Sequence, residues 1–93
     1  MSESAFKEKV IRDLKTLSEC WFIKTQERGR RGTPDLLICL RGKFVAIELK
    51  REDGEVTPLQ LHTLSKIADA QGMHAVMTPS MWPDYFKRLK EME

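Results

Sequence analysis

The residues best suited to chemistry are Asp35, Glu48 and Lys50. Asp35 closes Gly32-Thr33-Pro34-Asp35 and opens the apolar run Leu36-Leu37-Ile38-Cys39-Leu40. Glu48 and Lys50 flank Leu49 at the end of Phe44-Val45-Ala46-Ile47. Two carboxylates held close together and half buried repel each other, and a hard cation such as Mg²⁺ relieves that repulsion. Glu-x-Lys alone says little, because 32% of the chain is charged. An exposed pair on a solvated strand is the plain alternative. Against it, Asp35 and Lys50 each end a strand that is otherwise almost wholly apolar, and charges there need a reason.

The elements must bring these charges together. Two apolar runs joined by Arg41-Gly42-Lys43 predict a β-hairpin. A type II′ turn on Gly42-Lys43 pairs Arg41 with Phe44, Asp35 with Lys50 and Leu37 with Glu48. Alternate residues share a face, so Asp35, Glu48 and Lys50 then converge on one side. A three-residue loop would separate them.

Phe6, Val10, Leu14 and Leu17 recur at helical spacing and predict a first helix from Ser2 or Ser4 to Ser18. At about 100° per residue, Glu3 falls in line with Phe6 and Val10 on the core face, while Glu8 points away. Cys20 to Thr25 reads as a strand, with Trp21, Phe22 and Ile23 expected in the core and Cys20 and Cys39 as buried free thiols. Gln26 to Gly32 is a basic loop carrying Arg28, Arg30 and Arg31. Thr57 and Pro58 start a second helix in which Gln60 completes a capping box. Gly72 is expected to end it as the left-handed residue. Met73 to Thr78 forms a last strand, parallel to the third because a helix connects them. Ser80 is expected to cap a final helix reaching Met92. His62 and His74 stand alone and read as surface or edge residues.

Gly32-x-Pro34-Asp35, then Glu48-x-Lys50, then Gln60 resembles the PD-(D/E)XK nuclease superfamily. Within it, the pattern is most similar to the virus-type replication-repair nuclease (VRR-NUC) family. The resemblance runs from Glu3 to about Thr78. It implies an α/β fold of order α-β-β-β-α-β-α, with a mixed central sheet flanked by helices. It also implies Mg²⁺, with Mn²⁺ as a substitute, held by Asp35, Glu48, the Leu49 carbonyl and Glu3 directly or through water. Glu8 is the alternative acid on the first helix, and one metal or two remain open. Lys50 would orient the attacking water, and Gln60 would border the site. Arg28, Arg30, Arg31 and Lys24 would hold phosphates of DNA. Stand-alone members resemble archaeal Holliday-junction resolvases, which act as dimers. The sharpest expectation is therefore a structure-selective endonuclease for branched DNA, from a bacterial cell, a phage or a mobile element. Met81, Trp82, Tyr85 and Phe86 on the last helix are the expected dimer contact. A less selective DNA or RNA nuclease, or a catalytically silent DNA-binding module, are the alternatives.

The length of 93 residues allows one domain spanning the chain. A net charge of +2 does not by itself call for nucleic acid. The N-terminus lacks a signal pattern and the longest apolar run is far too short for a membrane, so the expectation is a cytoplasmic protein.

Overall fold

The computed structural model describes residues 1–25 and 31–92. The elements run α1 (Glu3–Leu14), β1 (Cys20–Lys24), β2 (Leu36–Leu40), β3 (Lys43–Leu49), α2 (Pro58–Asp69), β4 (Met73–Met77) and α3 (Trp82–Glu91). One sheet has strand order β1-β2-β3-β4. β1, β2 and β3 form an antiparallel meander, and β4 joins β3 in parallel after the α2 crossover, as the helix between them requires.

Strand alternation divides the side chains between two faces. On one face Leu36, Ile38, Leu40, Val45, Ile47 and Leu49 pack against α1 and α3. There Phe6, Val10, Leu14, Trp82 and Leu89 are all at most 1% exposed. The other face carries Asp35, Leu37, Phe44, Ala46 and Glu48, and α2 packs over part of it.

The hairpin differs from the sequence expectation. Leu40 pairs with Lys43, so the loop is Arg41-Gly42. Both residues have positive φ, 49° and 83°, which makes the turn type I′. The register slides by two residues and Asp35 comes opposite Glu48, not Lys50, when the pairing is continued past Leu36. An even slide leaves every side chain on its expected face, so the convergence of Asp35 and Glu48 survives.

Several ends also differ. α1 stops at Leu14, although Leu17 still packs on the core. Ser2 caps it by accepting the Ala5 N–H at 3.0 Å. α2 ends in a Schellman arrangement with Gln71, not Gly72, in the left-handed region at φ 69°. The Gln71 N–H donates to the Ala68 carbonyl and the Gly72 N–H to that of Ile67, both at 2.9 Å. Ser80 does not cap α3; its N–H and hydroxyl donate to the Glu52 carboxylate. Met81 holds the cap position without a side-chain bond.

Three burial expectations are corrected. Trp21 is 65% and Ile23 46% exposed, because they lie on the α2 face of edge strand β1, beyond the reach of any helix among the described residues. Cys39, between Trp21 and Phe44 on that face, is exposed too, and Cys20 is half-buried. Trp82 is in the core at 1% exposure, with its indole N–H donating to Asp13 Oδ2 at 2.7 Å. Tyr85 and Phe86 are half-buried around it, so Met81 is the exposed member of the expected α3 contact.

Candidate active site

Asp35 enters β2 directly after buried Pro34. The Thr25 N–H donates to the Asp35 carbonyl at 2.9 Å and the Thr25 hydroxyl to the Pro34 carbonyl at 2.7 Å. These bonds extend the β1–β2 ladder by one pair and hold the Asp35 backbone still. Its carboxylate then turns across to β3, where Oδ2 accepts the Leu49 N–H at 2.8 Å. The preceding Gly32 has φ 79°, and a Cβ there would stand 2.8 Å from Leu59 Cγ and 3.0 Å from Thr63 Oγ1. Glycine is thus required twice over, by conformation and by the close approach of α2.

Glu48 lies opposite Asp35 and is only 2% exposed. Its Oε1 accepts the Gln60 side-chain N–H at 3.1 Å. Gln60 is fixed in turn by the capping box: its Oε1 accepts the Thr57 N–H at 2.9 Å and its own N–H donates to Thr57 Oγ1 at 3.1 Å. The cap and the contact to the site therefore coexist in one residue. Glu48 Oε2 is buried and has no hydrogen-bond partner among the described residues. Burial pushes the Glu48 carboxyl up from 4.5 to about 8. Within that rise burial is the largest cause, the like charge of the neighbouring Asp35 carboxylate adds to it, Lys50 opposes it and Glu3 contributes a little.

A cavity of about 430 Å³ opens beside the pair, lined among others by Glu3, Lys7, Arg31, Asp35, Glu48 and Gln60. Lys7, which the sequence reading passed over, contacts Asp35 Oδ1 through Nζ at 3.4 Å. The signal was present: Lys7 lies one helical turn beyond Glu3. Glu3 is exposed at the cavity wall and not turned into the core, while Glu8 is outside the lining. Lys50 is half-buried just past Glu48; it acts on Glu48 through its charge but is not among the lining residues. Lys24 is exposed and pairs with Leu36, which puts it on the α1/α3 face, away from the carboxylates. Arg28 and Arg30 lie outside the described residues. A larger groove of about 800 Å³ runs between α2, Leu37 and Phe44, but no carboxylate lines it.

The donor set can be tested against a divalent cation. Among the described residues, no group of three or more His, Cys, Asp or Glu side chains is placed to share a metal ion. Glu3 is therefore not a third carboxylate of the Asp35–Glu48 pair. The pair itself still fits Mg²⁺, which keeps several waters and is commonly held by one or two carboxylates plus substrate phosphates. The bare, buried Glu48 Oε2 is the specific feature that a cation would satisfy.

The chain is similar in structure to a solved chain described as a VRR_NUC domain. The TM-score is 0.72 at 24% identity, covering 97% of this chain and 91% of that one. The likeness establishes the fold, a mixed four-stranded sheet with three helices in the expected order α-β-β-β-α-β-α. No protein-family model and no curated protein matches the chain. No helix among the described residues is long and apolar enough to cross a membrane.

Proposed function

We propose that this chain is a metal-dependent nuclease that hydrolyses phosphodiester bonds in DNA, with branched DNA as its preferred substrate. The observation that carries this reading is the buried Glu48 carboxylate, raised to about 8 beside Asp35, with one oxygen bare. Two acids in that arrangement are costly to ionise unless a cation joins them. Asp35, Glu48 and the Leu49 carbonyl would hold Mg²⁺, with Mn²⁺ as a substitute. Glu3 would reach it through water. Bound there, the metal ion supplies a Lewis acid that polarises the scissile phosphate and acidifies the attacking water.

The remaining work belongs to the chain. The Leu49 N–H fixes the Asp35 carboxylate, and Gln60 fixes Glu48, so both acids are aimed before substrate arrives. Lys50 orients the attacking water and offsets the developing negative charge. Arg31 at the cavity wall takes a backbone phosphate. Nothing among the described elements offers a helix for reading bases, so recognition follows DNA shape.

The test is a labelled four-way junction beside linear duplex, flap and RNA, each with Mg²⁺ or EDTA. Cleavage is expected with Mg²⁺ only and fastest on the junction. Asp35→Ala and Glu48→Ala should bind DNA without cutting it; cleavage by either at the wild-type rate removes the metal assignment. Equal rates on all substrates leave a general nuclease.

Resolving a junction takes two cuts, and a two-fold dimer supplies two sites in matching orientation. With Trp82 in the core, the contact on this reading shifts from α3 to exposed Trp21, Ile23 and Phe44 on the α2 face. Light scattering without DNA should find a dimer that Trp21→Glu dissociates. A monomeric wild-type protein sinks the resolvase version.

A further inference from the structure

The four carboxylate oxygens of Asp35 and Glu48 are unequally committed among the described residues. Asp35 Oδ2 takes the Leu49 amide, Glu48 Oε1 takes Gln60, and Glu48 Oε2 takes nothing. Asp35 Oδ1 takes the Lys7 ammonium at 3.4 Å. The first two donors are immobile, one being backbone and the other locked in a capping box. The Lys7 contact is the yielding one. It ends a flexible side chain that is 28% exposed, on a helix held by Phe6 and Val10 in the core. A cation that satisfies Glu48 Oε2 and also engages Asp35 at its less tightly held oxygen therefore meets Lys7.

We infer that Lys7 is a resident counter-cation of this site, which a divalent metal displaces from Asp35 and whose ammonium then holds a substrate phosphate. The inference rests on the metal-dependent nuclease reading above and adds a residue to it. Before metal arrives, Lys7 offsets part of the repulsion between the two acids. After displacement its stem still emerges from α1 beside Glu3 and faces the cavity that Arg31 also lines. Two cations on that wall, one from α1 and one from the basic loop, suit a phosphate group. Lys7 thus couples the two arrivals: DNA offers the ammonium a new partner, and so helps the metal keep Asp35.

Lys7→Gln and Lys7→Arg test this. In calorimetric titration of DNA-free protein with Mg²⁺, Lys7→Gln is expected to bind the ion roughly threefold to tenfold more tightly, by loss of a competing charge on a partly exposed pair. Lys7→Arg should stay near wild type. At saturating Mg²⁺, Lys7→Gln should raise KM for DNA several-fold with little change in kcat, and Lys7→Arg should restore it. Unchanged or weaker Mg²⁺ affinity in Lys7→Gln overturns the counter-cation role. Tighter Mg²⁺ binding with an unchanged KM overturns the phosphate role. A wild-type protein that binds Mg²⁺ and cuts DNA, with a Lys7→Gln variant identical to it, sinks this inference and leaves the nuclease reading standing. A wild-type protein that binds no Mg²⁺ sinks both.

Discussion

Glu48→Gln separates the cost of a buried charge from the shape of the site. The carboxyl is 2% exposed and titrates at about 8 in place of 4.5. Between those pH values the folded protein keeps a proton that the unfolded chain has released. Stability from this group is therefore fully present below pH 4.5 and is lost as the pH rises through about 8. At about 1.36 kcal/mol per unit, the loss between about pH 5 and about pH 9 is about 4 kcal/mol. Gln keeps the shape, carries no charge, and can present its amide N–H to Asp35. The assay is urea unfolding in EDTA across that pH range. The wild-type midpoint should fall by more than about 1 M, whereas Glu48→Gln should hold nearly level and be the more stable protein at high pH. Added Mg²⁺ should flatten the wild-type curve, because it stabilises the ionised pair. A wild-type midpoint that does not move refutes the reasoning. So does a variant that falls as steeply, since the dependence would then belong to other groups.

Thr57→Ala should cost about 1 kcal/mol in urea unfolding through loss of the α2 cap. It should also lower the cleavage rate, because the same box aims Gln60 at Glu48; an unchanged rate would make Gln60 a cap and nothing more. Arg31→Ala should weaken DNA binding about equally for all sequences and reduce the log–log salt slope by roughly 0.9, as expected for one lost phosphate contact; an unchanged slope would return Arg31 to the solvated surface.

Much of the site was legible in the sequence, because the relations that make it are local or periodic. Strand alternation put Asp35 and Glu48 on one face, and even with the wrong turn the slide of two residues kept that parity. Thr57, Pro58 and Gln60 announced a capped helix start within four consecutive positions. The crossover between β3 and β4 followed from the helix between them. Tertiary structure decided the rest. Trp21, Ile23 and Trp82 are all large apolar residues in regular elements, yet the first two are exposed and the third is buried. Periodicity says which side chains share a face, but whether that face is covered depends on where α1, α2 and α3 dock. The same long-range docking brings Lys7 to Asp35 across 28 positions of chain, and it buries Glu48 deeply enough to raise its carboxyl to about 8. Composition and spacing supply the charges; only packing sets their distances and the water around them, and those two quantities govern what the carboxylates can do.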